Sequence, residues 1–411
     1  MSNKPTYIGS LTPLRGIAAL LVVFYHYHGF LKLLAPKGMS GIIDKSYLMV
    51  DFFFILSGFV MFHAYGNYFN EQLSFKRFYN FMVARFARVY PLHFVMFGAT
   101  LCLWLALQVT GTPPNKLLGF MFDPSAIITN LTLTQALGMH AEATWNSPAW
   151  SICVEWWMYV IFPVLLIVFA QTRYWSRWLM LPIIGLIYWL LMDYFHPIDM
   201  EVRAEIWGFT QTEIDAKYGS INVYTGSSIL RCFAGFLLGM VVYEWFINGW
   251  GRAWMSNGWL LLASWVGLLT CWQLELIVDP IAIIFFVPIL LATAYSEGRA
   301  FRIMNKKIFN YLGDISYSIY LVHLPIILSI ITLQVIRHHA NGRDVDTGLP
   351  LDQVVSDAAT QVPAIIEEPN YLIAWAGLGV LLILTVAVAS FTYKFIEKPM
   401  RKVLKTKLTR S

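Results

Sequence analysis

Arg15 and His26 stand eleven residues apart in one apolar run, Leu14 to Leu34, which opens Leu14-Arg15-Gly16. Eleven helical residues rise about 16 Å, so a fixed charge near one membrane face and a titratable imidazole deep inside would share one helix. Ionisable groups at such depth cost about 2.5–3.5 kcal/mol each on insertion scales, and therefore mark function or a paired network. An imidazole so placed can act as a general base toward a hydroxyl. Arg85 and Arg88, three apart at the start of another apolar run, share a helix face. Two guanidiniums on one face suit phosphate, although flanking positive charge alone would give the same pattern.

Further ionisable or hydroxylic side chains interrupt the remaining apolar runs. Asp51 precedes Phe52-Phe53-Phe54-Ile55-Leu56-Ser57-Gly58, with Ser57 about mid-depth. No Gly-x-Ser-x-Gly elbow surrounds Ser57, which argues against a serine nucleophile. Ser147-Pro148 opens a helix in which Ser151, Glu155 and Tyr159 recur every four residues and so line one face. Counted inward from Pro148, Glu155 reaches the depth of His26, where a carboxylate could orient the imidazole or pair with it structurally. Arg231 lies inside another apolar run and needs an anion, from Glu155, Asp51 or a substrate. The run Ser316-Tyr317-Ser318-Ile319-Tyr320-Leu321-Val322-His323 brings a second histidine to mid-depth. Trp145 and Trp150 near Glu155 could stack on a sugar or form an interfacial belt.

The elements that must position these groups are membrane helices. The chain of 411 residues is 58% hydrophobic and only 13% charged, against about 25% charged in soluble domains. Ten runs approach the roughly 20 residues that cross a bilayer: 14–34, 47–66, 87–110, 148–170, 177–195, 226–247, 257–274, 280–296, 313–336 and 371–395. No linker or repeat divides residues 1–411, so a single all-α polytopic domain is expected. The first run is preceded by Lys4 with no small-residue cleavage site and reads as a retained signal anchor. Cys102, Cys153, Cys232 and Cys271 all fall in apolar runs and read as buried free thiols; neither metal nor a bound cofactor is expected.

With the N-terminus cytoplasmic, ten spans return the C-terminus to the same side. Cytoplasmic segments then hold 20 of the Lys and Arg residues, including Lys76, Arg77, Arg173, Arg177, Arg252, Arg299, Arg302 and seven from Lys394 to Arg410. Outer segments hold eight and carry acidic runs such as Asp199-Met200-Glu201 and Asp344, Asp346, Asp352 and Asp357. This distribution follows the positive-inside rule and points to a lipid bilayer rather than nucleic acid as the partner. The basic tail would contact anionic lipid. Ser74 would cap an amphipathic segment that turns Phe75, Phe78, Phe81 and Met82 toward lipid.

In these residues the sequence resembles bacterial integral membrane acyltransferase family three, across nearly the whole chain. The likeness rests on Arg15 with His26, Phe53-Phe54 through Ser57-Gly58, Arg85-Phe86-Ala87-Arg88 with Tyr90-Pro91, Ser151 with Glu155, and Ser316-Tyr317 through Tyr320 and His323. The resemblance implies an O-acyltransferase of the bacterial inner membrane. It would move an acyl group, commonly acetyl, from cytoplasmic acyl-CoA to a hydroxyl of a surface or exported glycan or glycolipid, beside polysaccharide-assembly machinery. It implies donor contacts at Arg15, Arg85 and Arg88, His26 as the catalytic residue, and a required Glu155. Asp51, Ser57, Ser151, Arg231, Tyr317 and His323 are further candidates for substrate or transition-state contact, with Arg231, Tyr317 or Ser57 as the oxyanion donor. An acyl-histidine route is a second chemistry. The rival reading is a secondary transporter of an anionic solute or lipid-linked sugar, in which Arg231, Glu155 and His26 line the path.

Overall fold

A computed structural model describes residues 8–36, 38–70, 74–172, 174–215, 217–256, 258–295, 306–349 and 370–408. Expectations resting on Lys4, Arg173, Arg299, Arg302, Asp352, Asp357 and Arg410 lie outside them. The principal helices are α1 (Thr12–Phe30), α2 (Met49–Asn70), α3 (Phe75–Thr110), α4 (Ala149–Gln171), α5 (Met180–Leu190), α6 (His196–Trp207) and α7 (Ser228–Ile247). They are followed by α8 (Gly258–Gln273), α9 (Asp279–Tyr295), α10 (Lys307–Asp314), α11 (Ser316–Ala340), α12 (Tyr371–Thr392) and α13 (Lys398–Leu408). No strand occurs among the described residues. A bilayer core leaves a backbone no water to bond, so helices satisfy it internally.

All ten expected spans are helical, and among the described residues eight stretches are long and apolar enough to cross a membrane. The other two, α8 and α9, have 16 and 17 residues, short of the roughly 20 that span a bilayer, and pack on each other. The chain is an all-α polytopic membrane protein.

Three boundaries differ from the sequence expectation. The third helix begins at Phe75 rather than at residue 87 and continues through Pro91 for 36 residues. Ser74 caps it, accepting the Arg77 backbone N–H at 3.3 Å. Phe81 does not face lipid: it is buried among Tyr65, Phe69 and Phe162, while Phe75 is exposed. The fifth helix does not end at 195 but passes through a π-helical turn, Leu191–Phe195, into α6. There Asp199 and Arg203 pair across one helical turn and cover a polar face that hydropathy reads as loop. The last helix likewise passes through a π-helical turn, Tyr393–Glu397, into α13, which packs on α3. Cys102 is exposed rather than buried, on the outer surface of α3; all four thiols are free.

Close helix crossings fix the frame. A Cβ on Gly239 of α7 would stand 1.9 Å from the Ile55 carbonyl oxygen of α2, and one on Gly58 1.9 Å from that of Phe236. The four-residue spacing of Gly235 and Gly239 is thus a packing face. At the start of α1, a Cβ on Gly313 would stand 1.9 Å from the Thr12 carbonyl oxygen, so α10 docks backbone to backbone.

The bundle has two distinct ends. The start of α1, α10, α13 and the first half of α3 gather at one, the termini end. The long connections gather at the other, the loop end. There Lys45 donates to Asp279 (2.8 Å), Tyr47 pairs with Ser220 (2.7 Å) and the Trp375 indole donates to the Leu34 carbonyl (2.8 Å).

Candidate functional site: two cavities meeting at Tyr320

Five helices supply a cavity of about 190 Å³ within the bundle: α1, α2, α3, α4 and the opening turns of α11 contribute its walls. Arg15, Arg85 and Arg88 line it, together with Ser57, Ser151, Glu155 and Tyr317. Seven residues expected at the site are therefore brought into one wall. Glu155 Oε1 accepts the Ser57 hydroxyl at 2.5 Å and the Tyr159 hydroxyl at 2.6 Å. The Tyr159 ring lies 5.8 Å from the Arg85 guanidinium, which also faces Tyr65 and Phe81 and donates to the Tyr65 hydroxyl at 2.9 Å. Aromatic faces hold this cation without neutralising it.

Arg88 is held differently. Its guanidinium pairs with Glu397, buried in the π-helical turn after α12, and rests over the Tyr317 ring. Ser318 donates to the second Glu397 oxygen at 2.9 Å. Tyr317 donates to the Val89 carbonyl at 2.6 Å, so its proton is already used. Two polar atoms in this wall are buried without a hydrogen-bond partner: Arg85 Nε and Ser316 Oγ. Orphaned donors are rare in native interiors and call for a polar ligand at the site.

A second cavity, about 440 Å³, opens toward the loop end. His26 lines it, beside Tyr25 and Phe30, and faces Trp150, Trp207 and the polar group Glu142, Arg203, Asn222 and Tyr224. Glu142 accepts the Trp207 indole N–H and the Tyr224 hydroxyl, each at 2.8 Å. Arg203 lies flat on the Tyr224 ring, 3.6 Å from its centroid. Burial pushes the Tyr224 phenol well above its ordinary range, so it remains a donor to Glu142.

Val50 and Tyr320 line both cavities. The Tyr320 hydroxyl stands 2.7 Å from Ser151 Oγ and 3.0 Å from the Pro148 carbonyl oxygen. One aromatic side chain thus stands between the arginine cavity and the histidine cavity. Its helix is supported locally: Pro325 cannot donate to the Leu321 carbonyl, and Asn146 Nδ2 donates there instead at 3.0 Å.

Four expectations differ from the structure. Glu155 does not meet His26; the two line different cavities, and His26 Nδ1 lies 3.1 Å from Nε2 of His323. Asp51 and Arg231 line neither cavity. They are fully buried and bidentate to each other, Nε to Oδ1 at 3.0 Å and Nη2 to Oδ2 at 2.6 Å. Arg231 also donates to the Val223 carbonyl at 3.1 Å and to Asn222 Oδ1 at 3.4 Å. Trp145 is no sugar platform: it is fully buried among Phe97, Trp104 and Phe122, whereas Trp150 does line the histidine cavity. His323 is fully buried and lines neither cavity.

Residue patterns alone missed Tyr320 as the partition, Ser316, Glu397, and the Glu142, Arg203 and Tyr224 group. The Asp199–Arg203 spacing was the available signal for the last, since it extends a helix toward the cavity.

Comparison with known proteins adds three findings. A family model described as "Acyltransferase domain" matches residues 8–394. "Protein 2 in picA locus" of Rhizobium radiobacter is 37% identical over 153 residues, 35% of this chain and 75% of that protein. "Acyltransferase MdmB" of Streptomyces mycarofaciens is 28% identical over 169 residues, 40% of each chain. No solved structure matches.

Proposed function

The chain belongs to this acyltransferase family and is a multi-pass membrane acyltransferase; from that premise we propose that it carries acyl groups from acyl-CoA to a glycan hydroxyl across the bilayer. The acyl group is acetyl in this reading, the acceptor a surface or exported glycan or glycolipid, and the membrane the bacterial inner membrane. The observation that carries the proposal is the pair of cavities: one basic and near the termini end, one lined by a histidine, aromatic rings and acid near the loop end, parted by Tyr320.

The termini end is cytoplasmic in this reading, which the distribution of Lys and Arg supports. The CoA phosphates lie against Arg15, Arg85 and Arg88, and the pantetheine arm carries the thioester toward Tyr320. The acceptor hydroxyl enters from the loop end. His26 removes its proton as the oxygen attacks the thioester carbonyl. The tetrahedral intermediate collapses with cleavage of the C–S bond, and the thiolate takes the proton back from His26. Glu155, bonded to Ser57 and Tyr159, sets the ring that faces Arg85 and so serves the donor side. Sugar would rest on Trp150 or Trp207 with its hydroxyls toward Glu142 and Asn222.

Acetyl-CoA titrated into the detergent-purified protein is expected to raise its unfolding temperature saturably. Hydrogen bonds to charged groups contribute about 1.5–3 kcal/mol, so Arg85→Ala should weaken the donor at least about tenfold. The Arg85→Ala/Arg88→Ala pair should weaken it further. No shift in a folded wild type would remove acyl-CoA as donor and favour solute transport.

A further inference from the structure

We infer that His323 is a positioning residue that fixes the tautomer of His26 and leaves its Nε2 lone pair facing the histidine cavity. The inference rests on the reading of His26 as general base and supplies what Glu155, in the other cavity, does not. Each ring nitrogen can be assigned from its neighbours. Nδ1 of His26 lies 3.0 Å from the carbonyl oxygen of Val22, one turn back on α1. Nδ1 of His323 lies 3.2 Å from the carbonyl oxygen of Ile319, one turn back on α11. A carbonyl oxygen only accepts, so a lone pair on either Nδ1 would face another lone pair. Both Nδ1 atoms therefore carry hydrogen.

A neutral imidazole with hydrogen on Nδ1 has a lone pair on Nε2. Nε2 of His323 stands 3.1 Å from Nδ1 of His26 and receives that N–H, shared with Val22. The reverse polarity, with His323 donating, would leave a lone pair on each Nδ1 facing a carbonyl oxygen. It would also put the one hydrogen of His26 on Nε2 and leave that nitrogen no lone pair with which to take a proton. In the assigned state, every N–H of the pair has an acceptor and only His26 Nε2 is left over.

Packing holds the arrangement. The two rings are 4.9 Å apart, His26 stacks on Phe30 at 5.7 Å, and Tyr320 lies 6.0 Å from His323. His323 has no exposed surface. When His26 takes the acceptor proton on Nε2, its Nδ1–H stays on His323, so the imidazolium cannot turn away before returning the proton to the thiolate.

The test uses full-length protein labelled with ¹⁵N-histidine in lipid, with the pair assigned by difference against His26→Ala and His323→Gln. Both residues should show a pyrrole-type Nδ1 and a pyridine-type Nε2. In membranes of the source organism, which supply the acceptor, His323→Phe should lower kcat for thioester cleavage about 10–100-fold without changing KM for acetyl-CoA. His323→Gln, whose amide oxygen can accept the same N–H, should recover most of that loss; it also serves should the Phe variant fail to fold. A pyridine-type Nδ1 on His26 overturns the inference, as does an unchanged kcat in His323→Phe. Full activity in His26→Ala would instead overturn the general-base reading, whatever the tautomers show.

Discussion

His26→Ala is expected to abolish acyl transfer while the protein still folds and still binds acetyl-CoA. A positioned general base contributes about 10²–10⁴-fold, and among the described residues His26 supplies the only imidazole that lines the histidine cavity. Glu142 is spoken for by Trp207 and Tyr224, and Arg203 has no basic lone pair to offer. Truncation removes a ring that stacks on Phe30 at the cavity wall and leaves Nε2 of buried His323 without its donor, but strands no buried charge. Stability should therefore drop by no more than the roughly 1–3 kcal/mol of one unsatisfied group, and the acetyl-CoA shift should persist because the arginine cavity is untouched. Transfer of radiolabelled acetyl to the glycan fraction measures the loss. A variant that loses its fold would make His26 a packing residue, and one that keeps wild-type transfer would move the chemistry elsewhere.

Breaking the buried pair is expected to act in the opposite way, on stability first. Asp51→Ala leaves the Arg231 guanidinium fully buried without its bidentate partner, a change that destabilises by about 3–5 kcal/mol. Desolvation of both charges disappears in the double variant Asp51→Leu/Arg231→Met, which should recover most of the lost unfolding temperature. Since neither residue lines a cavity, that double variant should also keep its transfer activity. A folded double variant without activity would return Arg231 to the reaction as an oxyanion or substrate contact.

The helices were legible because bilayer-length apolar runs leave few alternatives. The arginine cavity was legible too, since Arg85 and Arg88 share a helix face and Ser151, Glu155 and Tyr159 recur at one helical turn. The pairing of His26 was not. Helical rise gives a residue's depth, and that count set Glu155 level with His26, although Tyr320 parts the cavities that the two line. It gives no rotation about the bundle axis, and rotation sends Glu155 toward Ser57 and His26 toward His323. The same blindness left the anion of Arg231 open among three candidates until the α2–α7 crossing at Gly58 and Gly239 set Asp51 beside it. Polar helices were the other loss. Residues His196 to Trp207 look like a loop by hydropathy, yet Asp199 and Arg203 pair across one turn of a helix while Glu201 and Glu205 face outward.

The sidedness of the donor tests the central claim most directly. Sealed membrane vesicles from the source organism would be sorted by protease access to a tag on the C-terminus. Acetyl-CoA, which does not cross the bilayer, would then be supplied from outside only. Release of CoA thiol and labelling of glycan are predicted only for vesicles that expose the termini end, with Arg15, Arg85 and Arg88 on the donor's side and His26 toward the acceptor's. Equal turnover from vesicles that expose the loop end would contradict a donor path through the arginine cavity.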